Sequence, residues 1–356
     1  MTAPSARLAL PAGLTSAAHL VTTSAPTPTQ GPPGDHTPSG QAPTTVGSGA
    51  LGTGARGVAD LLARRVAADP ARPLVTFYDD ATGERVEFSA TTLDNWVAKT
   101  ANLLVDTLGL GPGDQVGMDL PTHWLALVVA LATWSVGGEL LLVDRTDGSV
   151  DHADGGPPDA TRPGASRLGA TRLGALFIAE DRLDATGELV TEETVALSLR
   201  PLGGRMTRSV PGVLDFAAEV PPHGDRFVPP PAPPAQLELV QAALRTTHAW
   251  RLAAPDRLLV TAAPHSAPGL LGGLLAPLAA GASVVLCRRL DPDLLSRRLR
   301  TERVTAIVAA TPTDAAFPAG AAADGAADRA GDGKGDAAAR AGSATGVRAL
   351  HLPPPD

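Results

Sequence analysis

The chain has 356 residues, of which 38 are glycine, 34 proline and only 3% aromatic, while hydrophobic residues reach 44%. Glycine and proline exceed the roughly 12% of ordinary proteins, so an Ala/Leu/Val body must carry long stretches that cannot build a core. A formal net charge of −8 leaves no basic field for nucleic-acid phosphates, and the single cysteine, Cys287, excludes a disulfide framework and a cysteine-rich zinc site.

Residues 1–55 are Ala, Pro, Thr, Ser and Gly with almost no charge, and are expected to form a disordered tail. The stretch Leu8–Leu14 is too short, and too broken by Pro11, for a signal-peptide core. Two GxGxxG matches, Gly47/Gly49/Gly52 and Gly52/Gly54/Gly57, follow coil rather than a strand and read as linker.

Order is expected from residue 57. GVADLLARRVAADP has helical spacing at Val58, Leu61, Leu62 and Val66, PLVTFY alternates as a strand, and RVEFS returns after a DDATG turn. Ser89 is placed to cap a helix over 90–108. QVGMDL reads as a strand, and Trp124–Val143 reaches membrane-spanning length but is split by Gly137, Gly138 and Glu139. It reads as buried helix, turn and buried strand, giving a βαβ unit and no membrane partner.

Residues 145–172 are polar, hold Gly-Gly-Pro-Pro and lead into the duplication ASRLG/ATRLG, which marks an exposed insertion. ALFIAE and VALSL resume as strands, and prolines crowd 228–235 as a boundary. A helix over 235–252, a strand in RLLVTAA, a helix over 269–280, a strand in ASVVLC, a helix from Pro292 and a strand in VTAIVAA complete the body at 313. Residues 314–346 are mostly Ala, Gly and Asp and are expected to be disordered, with 347–356 returning as a short strand and tail.

Two blocks, Gly57–Asp144 and Asp256–Thr313, about 145 residues together, carry a resemblance. The GLGPGDQV turn, the LLAPLAAGASVVL segment and the order of their elements resemble the N-terminal region of the AMP-binding, adenylate-forming superfamily, which includes acyl-CoA synthetases. LVTFYDDATGERVEFSATTLDNWVAKTANLL, ALSLRPLGGR and HGDRF further resemble a small uncharacterised family of high-GC bacteria distantly related to AMP-dependent ligases. The resemblance implies an α/β fold of parallel sheets flanked by helices within residues 57–313.

The same resemblance sharpens what the chain lacks. The superfamily cradles ATP phosphates with a Ser/Thr/Gly-rich loop ending in Pro-Lys-Gly, expected near the start of the second half. FVPPPAPPAQLELVQAALR (227–245) stands there, without glycine, serine, threonine or lysine, and proline carries no N–H to offer. Tyr-Gly-x-Thr-Glu, Thr-Gly-Asp and the lid domain are not found. Only Lys99 and Lys334 are lysines; Lys99 is expected on a solvated helix face and Lys334 in the low-complexity tail.

The resemblance places His265 and Gly269 beside the acyl pocket, although the His-to-Gly spacing is one residue longer than in the family pattern. Against that stands a histidine merely flanking or capping the next helix. His223 and Asp225 could pair within a structural loop, and Cys287 reads as an inert buried thiol. The expected function is a degenerate, non-catalytic binding or regulatory protein in the cytoplasm, with a small carboxylate or a protein as partner and no cofactor. The alternative is an active adenylate-forming ligase using ATP and Mg2+ through arginine contacts or a lid supplied by a partner.

Overall fold

A computed structural model describes residues 13–26, 54–144, 172–185, 189–309 and 347–352. Of the insertion expected at 145–172, residues 145–171 lie outside the described residues, as do the segment 314–346 and Lys334.

Two six-stranded sheets make the frame. The first takes β1 (Gly13–Ser16), β4 (Gln115–Asp119), β5 (Glu139–Asp144), β6 (Arg172–Ala179), β7 (Val190–Leu197) and β8 (Val213–Asp215) in the order β1-β5-β4-β6-β7-β8. The second takes β2 (Pro73–Asp79), β3 (Glu84–Ser89), β9 (Arg257–Val260), β10 (Ser283–Arg288), β11 (Ala306–Val308) and β12 (Arg348–Leu350) in the order β12-β11-β9-β10-β2-β3. Each sheet is parallel except for one antiparallel edge strand, β1 on β5 and β3 on β2. The expected α/β class therefore holds.

The helices are α1 (Ala17–Ser24), α2 (Val58–Ala68), α3 (Ala90–Asn102), α4 (Trp124–Ser135), α5 (Phe216–Glu219), α6 (Pro234–Ala249), α7 (Ala267–Leu270), α8 (Ala276–Ala280) and α9 (Pro292–Thr301). Ser89 caps α3 as expected, its hydroxyl accepting from the Thr92 N–H at 3.1 Å. A π turn, Leu103–Thr107, extends α3, and a second, Leu271–Leu275, joins α7 to α8. Helix α4 packs on β4 and β5 of one sheet and β2 of the other. Contact on opposite sides explains why all twelve of its residues are buried and its sequence is apolar all round. Among the described residues, no helix is long and apolar enough to cross a membrane.

Strand alternation divides the core. Val284 and Leu286 of β10 face the main core between the sheets, while Val285 and Cys287 face outward to Leu295 of α9. Leu141, Leu173, Leu176 and Ile178 form the corresponding outer cluster on the first sheet.

Two expectations change here. Residues 13–26 are not part of a tail: β1 pairs with β5, and Leu14, Ala17 and Val21 are buried. Lys99 is not on a solvated face: its ammonium donates to the carbonyls of Pro221, at 2.9 Å, and His223. That clamp, with Asn102 Nδ2 donating to the Gly224 and Arg226 carbonyls, ties the 221–226 loop to α3.

Candidate functional site

In parallel sheets ligands gather at the carboxyl ends of strands, so the candidate site is the carboxyl edge of both sheets. On the first sheet β4 ends at Asp119, whose buried carboxylate meets Arg182 Nη1 at 2.7 Å. The chain then passes through Pro121-Thr122 to His123, which caps α4. The His123 Nδ1 accepts from the Leu125 N–H at 3.1 Å, so Nδ1 is unprotonated and the ring proton sits on Nε2. Burial, with a smaller contribution from Arg288, holds the His123 pKa at about 3, and the imidazole is neutral. Its ring packs on Phe77 at a centroid distance of 4.6 Å, and its Nε2–H is buried with no hydrogen-bond partner among the described residues.

Facing it, the second sheet closes its carboxyl edge with ion pairs. Arg289 Nε meets Asp79 Oδ1 at 2.9 Å and Arg288 Nη1 lies 3.8 Å from Asp79 Oδ2. Arg298 forks onto both oxygens of Asp80 and stacks over the Tyr78 ring at 4.1 Å. Cys287 lies 3.6 Å from that guanidinium, yet burial pushes its thiol up to about 12. It is inert as a nucleophile at neutral pH, as expected.

The loop after β7 reaches across to the second sheet. Leu199, Leu202 and Gly203 have φ of 52°, 62° and 67°, and the Leu202 N–H donates to Glu84 Oε1 at 2.9 Å. Two non-glycine residues in the left-handed region within four positions are strained backbone held by its surroundings.

His265 is exposed in the turn between β9 and α7, and Ser266 rather than His265 caps α7, accepting from the Gly269 N–H at 3.1 Å. Gly269 is buried, and a methyl group there would overlap the Ala263 carbonyl. The glycine thus permits close approach of α7 to the preceding turn. One cavity, about 550 Å³, lies beside Leu244, Thr247 and Arg251, and another, about 290 Å³, beside Arg72 and Arg257. Neither is lined by His265 or Gly269. His223 pairs outside the PHGDRF segment, its Nε2 lying 3.2 Å from Thr107 Oγ1 and its Nδ1 4.0 Å from Asp106 Oδ2.

No family model matches the chain. A TIGR03089 family protein of Mycobacterium tuberculosis (strain ATCC 25618 / H37Rv) is 39% identical over 247 residues, covering 68% of this chain and 93% of that protein. The chain belongs to the TIGR03089 family. Among solved structures, an acyl-CoA synthetase of Brucella canis aligns with a TM-score of 0.54 and 15% identity, over 75% of this chain and 50% of its own. Acetoacetyl-CoA synthetase from Streptomyces lividans aligns with a TM-score of 0.52 and 20% identity, over 70% and 42%. The chain thus spans about half the length of the solved structures it matches, and this family member has the adenylate-forming fold expected from its sequence.

That fold raises the question of ATP. Where the phosphate loop was expected, residues 225–233 run without regular structure into α6, whose start holds Pro233 and Pro234 and has no side-chain cap. Gln236 is buried: its Oε1 accepts from the Val58 N–H at 3.1 Å and its Nε2 donates to the Trp134 carbonyl at 2.7 Å. Ala232 packs so closely on Gly57 that a methyl there would lie 2.6 Å from the Ala232 Cβ. The segment braces α2 and α4 and presents no row of backbone N–H donors, so these residues do not fit a triphosphate. For magnesium, no group of three or more His, Cys, Asp or Glu able to hold a metal ion occurs among the described residues.

The sequence reading did not single out His123 or the Asp119–Arg182 pair. Their signal was available in Asp119-Leu-Pro-Thr-His-Trp124, a polar group at a strand's carboxyl end leading into an apolar helix.

Proposed function

We propose that the chain is a non-catalytic relative of the adenylate-forming synthetases, a binding or regulatory protein whose ligand is a small carboxylate or acyl group. The observation that carries this reading is the use of residues 227–236 as a packing brace, with Gln236 joining α2 to α4. A loop that must close on a triphosphate needs free N–H groups and room to move. Gln236 and the prolines supply neither. The ion pairs Asp79–Arg289 and Asp80–Arg298 support the same reading, because a carboxylate already occupies each of those guanidinium groups. The acyl and carboxylate class is drawn from the acyl-CoA and acetoacetyl-CoA synthetases that share the fold.

The test is ATP–pyrophosphate exchange with a broad carboxylate panel. The expected result is exchange no faster than a protein-free control. Robust exchange with any carboxylate makes the chain an active ligase and refutes the non-catalytic reading.

A further inference from the structure

The opposite edge of the second sheet holds a cavity of about 290 Å³ at the amino ends of β2, β9 and β10, bounded also by the end of α9. Its charge is unbalanced. Arg85 and Arg257 are matched by Glu87 and Glu302, at distances of 2.5–3.4 Å. Arg72 spends its hydrogen bonds on neutral acceptors, the carbonyls of Gly281 and Ala254, and so keeps its full charge. Arg303 is exposed, its backbone N–H donates to the Arg300 carbonyl at 3.2 Å, and its guanidinium forms no hydrogen bond or ion pair with any described residue. The adjoining Arg348–Asp256 pair is neutral.

Two uncompensated guanidinium groups therefore border one cavity. The carboxyl ends of α8 and α9 point to the same region, each equivalent to about −0.5 of a charge. Together they offset about one of the two positive charges, and at least one remains. Thr301 at the rim supplies a hydroxyl.

The backbone marks Arg303 as well. It follows α9 with φ of 51°, the left-handed position where glycine is the usual residue. An arginine stands there although a side chain at that φ strains the backbone.

From this geometry we infer that the cavity binds a phosphoryl group as a dianion, either inorganic phosphate or the head of a phosphomonoester. The positive charge that remains favours an anion, and arginine binds phosphate oxygens through paired N–H donors. This site is independent of the proposed carboxylate ligand and stands whether or not the chain is catalytic.

The test follows melting temperature against inorganic phosphate, AMP and acetate at constant ionic strength, in the wild-type chain and in Arg303→Gly. Glycine suits the left-handed backbone, so the variant keeps its fold while losing the guanidinium. Arg208→Ala, on the first sheet, is the control. The expected result is a saturable rise with phosphate and AMP but not with acetate, a half-saturation at least tenfold higher in Arg303→Gly, and no change in Arg208→Ala. A rise that does not saturate, that acetate reproduces, or that persists undiminished in Arg303→Gly overturns the inference. Arg303→Lys, which keeps the positive charge, is expected to restore part of the phosphate response.

Discussion

The two edges of the second sheet are built differently. At the carboxyl edge the guanidinium groups of Arg289 and Arg298 are locked onto Asp79 and Asp80, and Gly269 lets α7 press on the Ala263 carbonyl. At the amino edge Arg72 and Arg303 carry charge that no carboxylate among the described residues pairs with, beside a cavity. The edge where an α/β sheet commonly takes its ligand is here occupied by the protein's own side chains. A shared fold fixes the architecture and does not by itself fix what the site does.

The sharpest way to break this contrast is Gly269→Ala. The added methyl must displace the Ala263 backbone, and overpacking against backbone should cost about 3 kcal/mol. Urea midpoints measure it. A silent substitution would mean that α7 is not held tightly against the Ala263 carbonyl.

Gln236→Leu comes next. It strips the acceptor from the Val58 N–H and the donor from the Trp134 carbonyl, both buried. Orphaned backbone groups of this kind cost about 1–3 kcal/mol each, so a loss of roughly 2–3 kcal/mol is expected in the same assay. A cost below about 0.5 kcal/mol, the range of ordinary surface changes, would remove the brace from the argument.

Deleting residues 1–26 tests the other sheet. It exposes the β5 edge and removes buried Leu14 and Val21. Their burial is worth about 1.5–3 kcal/mol each before the ordering entropy of the segment is subtracted. A net loss of about 2 kcal/mol would lower the melting temperature by roughly 4–8 °C, readable by calorimetry. An unchanged melting temperature would return the segment to the status of a tail.

The smallest effects compare two left-handed positions, each just past the carboxyl end of a helix. Gly281→Val, where φ is 74°, should cost about 1–2 kcal/mol. Arg303→Gly should be neutral or stabilising by less than about 1 kcal/mol. If both cost stability, the Arg303 side chain contributes to packing rather than projecting into the cavity.

Much of this architecture was legible before any coordinates. The Ser89 cap and the hairpin at DDATG follow from local chemistry, and the strands of both blocks follow from apolar alternation. Residues 13–26 were not legible, because Pro11 and a run of Thr and Ser hide three small contacts whose partner, β5, lies more than 120 residues on. Lys99 was misread for the same reason: the carbonyls it clamps are 122 and 124 residues away. The fate of His265 depended on which residue caps α7, and Ser266, one position later, takes that place. The charge excess at the amino edge joins Arg72 to Arg303 across three strands and has no trace in local sequence.

The most direct measurement is a calorimetric titration of MgATP into the wild-type chain and into Arg303→Gly. If the carboxyl edge is structural and the amino edge holds the anion site, any nucleotide heat in the wild type should be weak, should compete with inorganic phosphate and should vanish in Arg303→Gly. Saturable MgATP binding that survives in Arg303→Gly and ignores phosphate would place a nucleotide at the carboxyl edge and contradict the account.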